Sequence, residues 1–234
     1  YMLIFIPISF IAKFLNASDS VMFILSCLSI IPLAGLMGEG TEEISFYSGP
    51  KIGGFLNGTF GNATELIISI FALKEGLFDV VKSSIAGAVI GNILLVIGAS
   101  MLAGGLKYKT QKFNQKVSEV SSSMLLFAVL GLCIPALFTH TVDPKLLNTR
   151  YEGLSIFVAV VMIVIYALSL FFSFSTHKHI YNNNDEHEGS AKWSLKKAIS
   201  ILVISTILIA IESEFLVNGI EPITESLGWS QFFV

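Results

Sequence analysis

A single acidic side chain lies inside a long apolar stretch of this chain. Residues 52–73 read IGGFLNGTFGNATELIISIFAL, and Glu65 is the one ionisable residue among them. A carboxylate at bilayer depth costs roughly 2.5–3.5 kcal/mol on insertion scales, so it normally faces a partner, a cavity or a transported ion. Spacing of four, three and four residues predicts that one face of a continuous helix carries Gly58, Asn62, Glu65 and Ser69.

Two interpretations of this segment stay open on the pattern alone. A buried polar residue can hold transmembrane helices together through hydrogen bonds. Alternatively, Asn62 and Glu65 offer the oxygen ligands that hard cations such as Ca²⁺ take, about six to eight per ion. Gly58 and Gly61 would then permit local unwinding that exposes backbone carbonyls, as in many transporters. One helix cannot complete such a cage, and the sequence has no second GN-x-x-E segment.

The composition indicates a polytopic membrane protein. Of 234 residues, 53% are hydrophobic and only 13% are charged, whereas soluble domains carry roughly 25% charged residues. The mean hydropathy is +0.76. A membrane crossing takes about 20 mostly apolar residues, and segments of this kind lie at 20–38, 52–74, 78–105, 120–140, 153–175 and 195–217. Residues 1–15 resemble the end of another span, so we expect an N-terminal truncation.

Other function classes find little support. Cys27 and Cys133 lie in apolar segments without the spacing of a metal site. No basic patch with interleaved aromatic residues is present, so we expect no nucleic-acid partner. Three of the four histidines cluster in the polar segment 177–193 and His140 stands apart, so the sequence offers no catalytic set, and we expect neither an enzyme nor a cofactor.

The polar connections predict the orientation. If the connections at 105–119 and 177–197 share a side with the one near Pro50, that side holds more of the chain's 14 basic residues and is predicted to be cytoplasmic. The acids and histidines of 177–193 invite a metal interpretation. Their spacing fits no tight ligand set, and short acidic linkers are usually solvated.

Further polar residues near the apolar segments are candidates for an ion pathway or gate: Glu42, Asn92 and Glu214. Gly87 and Gly91 lie four residues apart, which favours close helix packing. Glu212 points about 200° away from Glu214, so at most one of them faces a shared cavity. We expect Pro222 to interrupt the last helix, which leaves Glu214 as the residue at membrane depth.

At this point the residues match a family. GTFGNATELIISIFALKEG, followed by AGAVIGNILLVIGASMLAGGLKYKTQKFN, strongly resembles the first repeat of the Ca²⁺/H⁺ exchangers in the cation/Ca²⁺ antiporter superfamily. The preceding GTEE segment and the acidic linker also resemble that family. The resemblance implies an all-α membrane fold in which two inverted five-span halves each supply a GN-A-x-E helix, with the two acids facing each other at the bilayer centre.

The resemblance also implies how the chain is divided. Residues 1–176 would hold a partial first span and the first five-helix repeat, 177–193 an acidic cytoplasmic linker, and 194–234 the incomplete start of the second repeat. The second GN-A-x-E helix would follow Val234. We therefore expect a truncated inverted-repeat fold whose partner is the missing second repeat, within a lipid bilayer.

The function implied is exchange of cytosolic Ca²⁺ for H⁺, with Glu65 binding each in turn beside Asn62. Glu42 and Glu214 would lie near the cytoplasmic vestibule or in helices that open and close access. Na⁺/Ca²⁺ exchange on the same fold and a cation channel are the alternatives. The resemblance favours a bacterial plasma membrane over a vacuolar one and leaves a homo-oligomer open.

Overall fold

The computed structural model describes residues 1–141, 152–176, 190–230 and 233. Regular structure in these residues is helical throughout. Five of the described helices are long and apolar enough to cross a membrane: Asp19–Gly49, Phe78–Lys107, Gln115–Phe138, Glu152–Thr176 and Leu195–Leu227. Most of the predicted acidic linker, 177–189, lies outside the described residues, so its role stays a prediction.

The helices follow one another with short connections. The first half of the chain contains a 3₁₀ turn (Met2–Ile4), α1 (Phe5–Phe14), α2 (Asp19–Phe60), α3 (Ala63–Lys74), α4 (Phe78–Gly91), a π turn (Asn92–Val96) and α5 (Ile97–Lys107). The second half contains α6 (Gln115–Thr141), α7 (Glu152–Phe171) with a π turn (Phe172–Thr176), α8 (Leu195–Asn218) and α9 (Ile220–Leu227).

Three helix boundaries differ from the sequence-based expectations. The span predicted at 20–38 continues as a helix to Gly49, where a φ of 82° and the following Pro50 produce a kink. The predicted continuous helix 52–74 is wrong, because it divides between Phe60 and Ala63. The last helix is interrupted at Gly219 rather than at Pro222, which lies in the first turn of α9, where its missing N–H is harmless.

Packing divides the described chain into two compact units, residues 1–108 with 189–234, and residues 109–188. In the first unit, the most extensive contact joins α2 to α8. Its apolar core consists of residues at helical intervals, namely Leu33, Met37 and Ile44 of α2 with Ala198, Leu202 and Ile209 of α8. Gly40 allows this close approach, since a Cβ there would lie 3.3 Å from the Ala198 carbonyl oxygen.

A second core lies at the other end of α3. It joins Ala72 of α3, Leu77 and Val80 at the start of α4, Val217 of α8 and Ile220 of α9. The two cores hold α3 against α8 along its length, which fixes the position of the α3 N-terminus. That end of α3 carries the predicted site.

The second unit is formed by α6 and α7, which pack against each other. A Cβ at Gly131 would lie 2.9 Å from the Met162 sulfur, so glycine permits this contact. Apolar side chains such as Leu137 and Ile163 are exposed on the outer faces of these helices. Because lipid takes the place of water around such a surface, the chain is an integral membrane protein.

Candidate cation-binding site

A break between α2 and α3 lies at the centre of the predicted site. Gly61 closes α2 by donating its N–H to the Asn57 carbonyl oxygen at 2.9 Å, and the Asn62 N–H lies 3.4 Å from the Thr59 oxygen. A Cβ at Gly61 would lie 2.6 Å from that Asn57 oxygen, a distance that real Cβ atoms essentially never show. Glycine at this position therefore allows the tight end of α2 and the immediate restart of the helix at Ala63.

Asn62 is the N-cap residue of α3, but its side chain does not cap the helix. Its Nδ2 donates instead to the Gly58 carbonyl oxygen at 3.2 Å. The amide is therefore held across the break from α3 back to α2. This contact uses a donor and leaves the side-chain oxygen Oδ1 directed elsewhere, as an acceptor for a ligand.

Glu65 lies in the first turn of α3, three residues after Asn62. A glutamate at this position in a soluble helix often bonds the N-cap N–H, but that N–H faces Thr59 here. Among the described residues, Glu65 Oε2 is buried without a hydrogen-bond partner, and so is the Thr64 hydroxyl. An unpaired buried carboxylate oxygen is costly unless an ion, a proton or water meets it.

The carboxylate of Glu65 has no neighbouring charge to compensate it. The ion pair Lys82–Asp79, at 3.6 Å, is the one found within the described part of the chain, and it does not involve Glu65. Within those same residues, no three His, Cys, Asp or Glu side chains converge as a metal site. Asn62 and Glu65 thus offer part of a coordination sphere, and further ligands are needed to complete it.

The other polar candidates are not brought into this site by the described contacts. Glu42 is exposed on α2, and Glu214 is exposed on α8. Asn92 is exposed at the first residue of the π turn between α4 and α5, a type of irregularity that is frequent at functional sites. Their roles in a pathway or gate stay predictions.

The glycines predicted to pack or to break helices fall into two groups. Gly61 lies at the helix break. Gly58, Gly87 and Gly91 have open space around them, since no atom of the described structure lies within 4 Å of a Cβ built on any of the three. A packing role for Gly87 and Gly91 therefore stays a prediction that this part of the chain does not test.

Two buried acids escaped the sequence analysis. Glu43, next to the exposed Glu42, is 8% exposed, and its Oε2 accepts from the Trp193 N–H at 2.9 Å. Glu212, two residues before Glu214, is 0% exposed. A spacing of four, three, four and three residues places Glu212 in register with the buried positions Ala198, Leu202, Ser205 and Ile209. That periodicity was the signal that could have found it.

The fold and this site together define a class. Membrane-crossing helices surround a short helix that breaks beside an amide and a carboxylate, with one carboxylate oxygen left unpaired. Discontinuous helices of this kind form the ion sites of secondary transporters, because the break frees polar groups inside the membrane. The chain is thus a polytopic membrane protein with transporter architecture.

Comparison with known proteins identifies the family. The family model described as "Sodium/calcium exchanger protein" matches residues 19–175, and the chain belongs to this family. It is 43% identical to a Ca²⁺/H⁺ antiporter of Aphanothece halophytica over 99% of this chain and 66% of the relative. It is 42% identical to the Ca²⁺/H⁺ antiporter ChaA of Bacillus subtilis (strain 168) over 98% of this chain and 66% of that protein.

The solved structures show the same fold. The structure of native YfkE superposes with a TM-score of 0.80 at 35% sequence identity, and the match covers 100% of this chain and 66% of that one. The all-α fold of a cation/Ca²⁺ exchanger predicted from the sequence is thereby confirmed. The chain spans 66% of the length of these relatives.

Proposed function

We propose that this chain provides the first half of an antiporter that moves Ca²⁺ out of the cytosol in exchange for H⁺. The observation that carries the proposal is the buried, unpaired Oε2 of Glu65 at the helix break, one turn from the side-chain amide of Asn62. Relatives from Aphanothece halophytica and Bacillus subtilis carry the name Ca²⁺/H⁺ antiporter, which supports Ca²⁺ and H⁺ as the transported ions.

Competition at Glu65 is sufficient to couple the two ions. A carboxylate must be ionised to bind Ca²⁺, so a proton and Ca²⁺ compete for the same oxygens. Removal from water favours the protonated carboxylic acid, whereas a bound divalent cation favours the carboxylate. Loading of one ion therefore expels the other, and no separate coupling device is needed.

The rest of the transport site lies beyond Asn62 and Glu65. We assign the remaining ligands to a second repeat of the same polypeptide, because two residues provide too few oxygens for Ca²⁺. Glu42, Asn92 and Glu214 are proposed to line the route to the site, and a bacterial plasma membrane is the proposed location. Alternating access would come from movement of one helix bundle past the other.

The test is Ca²⁺ uptake into vesicles that contain the full-length protein under an imposed pH gradient. Glu65→Gln removes the ionisable group while keeping the shape of the side chain, and we expect it to abolish uptake. Glu75→Gln is the matched control, because Glu75 is exposed directly after the same helix α3. Uptake that persists in Glu65→Gln, or that falls equally in both variants, would refute the assignment.

The same vesicles separate the proposed function from Na⁺/Ca²⁺ exchange, which the family description keeps in view. Proton-coupled exchange requires the pH gradient and proceeds without Na⁺. Uptake that follows a Na⁺ gradient at constant pH would assign the chain to Na⁺ coupling instead. Uptake that needs neither gradient would indicate a channel.

A further inference from the structure

A second carboxyl group inside the membrane is buried more completely than Glu65. Glu212 lies on α8 within the apolar span Leu195–Leu227 and is 0% exposed. It faces α1 and α2, where Ser9 contacts its Oε1 and Ser26 lies beside the carboxyl group. Nothing in the proposed transport site uses this residue.

The contact with Ser9 bears on where the hydrogens are. Ser9 Oγ lies 2.7 Å from the Ile6 carbonyl oxygen and 2.5 Å from Glu212 Oε1. A serine hydroxyl has one hydrogen, and within a helix it normally donates to a carbonyl three or four residues earlier. When Ser9 donates to Ile6, the hydrogen between Ser9 and Glu212 must belong to the carboxyl group. The short oxygen–oxygen distance suits such a carboxylic acid donor.

The other carboxyl oxygen has nothing to stabilise a negative charge. Within the described structure, Glu212 Oε2 and the Ser26 hydroxyl are both buried without a hydrogen-bond partner. The nearest lysine along α1, Lys13, places its ammonium over the Phe215 ring, 5.3 Å from the centroid, one turn away from the carboxyl group. An ionised Glu212 would therefore be an uncompensated buried charge.

The titratable groups on the elements packed around Glu212 do not supply a partner either. Those groups are Lys13 on α1, Asp19, Cys27, Glu39, Glu42, Glu43 and Tyr47 on α2, Glu65 and Lys74 on α3, Glu214 on α8, and Glu221 and Glu225 on α9. Across the described ranges, none of them forms an ion pair with Glu212.

We propose that Glu212 is a second proton-binding site, separate from Glu65, whose carboxylic acid joins α8 to α1 by donating to Ser9. The ligand is a proton, and the site consists of the Glu212 carboxyl group with the hydroxyls of Ser9 and Ser26. Release of the proton would leave a negative charge between α1, α2 and α8 and weaken their contact. The site rests on these contacts and not on exchange at Glu65.

Infrared difference spectroscopy of the full-length protein in lipid tests the proposal directly, because a protonated carboxylic acid has its own C=O stretching band. The measurement is made in a Glu65→Gln background, which removes the carboxyl group of the transport site. We expect an acid band at neutral pH that disappears with Glu212→Gln. The matched control is Glu214→Gln, an exposed acid on the same helix, which should leave the band unchanged.

A second variant retains the carboxyl group and removes its partner. Ser9→Ala should keep the acid band but shift it to higher frequency, since the hydrogen bond from the acid is lost. Identical spectra for Glu212→Gln and Glu214→Gln would show that Glu212 is ionised and would overturn the proposal. A band that Ser9→Ala leaves unshifted would overturn the bridge between α8 and α1. Because Glu65 is absent from every variant, failure of Ca²⁺ exchange at Glu65 would leave these outcomes unaffected.

Discussion

Replacing Glu43 by alanine should detach the residues that precede α8 from α2. The Glu43 carboxylate accepts the Trp193 N–H at 2.9 Å, and the Tyr47 hydroxyl donates to the Trp193 carbonyl oxygen at 2.5 Å. Both backbone groups of Trp193 are thus held by side chains one turn apart on α2. Because Glu43 is only 8% exposed, alanine would leave the Trp193 N–H without this acceptor.

The expected loss follows from the charge on the acceptor. A hydrogen bond to a charged group contributes about 1.5–3 kcal/mol to the free energy of unfolding. In a protein of this size, 1 kcal/mol shifts the midpoint by about 2–4 °C, so Glu43→Ala should lower it by about 3–12 °C. Glu43→Gln keeps an acceptor oxygen and should lose less. Glu42→Ala, at the exposed neighbour, should change the free energy of unfolding by less than about 0.5 kcal/mol.

Thermal unfolding of the purified protein in detergent, followed by circular dichroism, measures these differences. The expected order of midpoints is Glu42→Ala, then Glu43→Gln, then Glu43→Ala. Tyr47→Phe provides an independent check, because it removes the second bond to Trp193 and should also destabilise the protein, by about 1 kcal/mol. Equal midpoints for Glu42→Ala and Glu43→Ala would refute the reasoning, since burial and the hydrogen bond distinguish the two positions.

Two glycines give further predictions from close contacts. Gly61→Ala places a Cβ 2.6 Å from the Asn57 carbonyl oxygen and must shift the helix break, so we expect Ca²⁺ uptake to need a higher Ca²⁺ concentration for half saturation, measured in vesicles. An unchanged concentration dependence would show that the break tolerates a side chain. Gly219→Ala places a Cβ 2.7 Å from the Phe23 Cβ and should destabilise the protein by about 1–3 kcal/mol in thermal unfolding. Gly35→Ala, inside α2 with nothing within 4 Å, should instead be neutral or stabilising by up to about 1 kcal/mol, and the reverse order would contradict the packing described.

Much of the architecture could be predicted from apolar length alone. The predicted segments 78–105, 120–140 and 153–175 correspond to long apolar helices whose bounds differ by a few residues. A membrane helix satisfies its own backbone hydrogen bonds, so about 20 apolar residues are enough to indicate it. The break at Gly61 and Asn62 could not be placed this way, because the residues around it are as apolar as a continuous span.

The site shows the same division. The residue types of Asn62 and Glu65, an amide and an acid within an apolar run, were sufficient to select them as ligand candidates. Their geometry was not predictable, since the continuous face expected for Gly58, Asn62, Glu65 and Ser69 does not survive the helix break. In the structure, Asn62 reaches back to Gly58 while Glu65 starts the next helix.

Residue chemistry and spacing were thus enough to establish a helical membrane protein, its family resemblance and a polar break within one helix. They also established that Glu212 and Glu214 point in different directions. Only the tertiary structure decided that Glu212 and Glu43 are the buried members of their pairs, while Glu214 and Glu42 are exposed. The physical reason is that helical periodicity gives the angle between two side chains, whereas the neighbouring helices decide which of the two faces the interior.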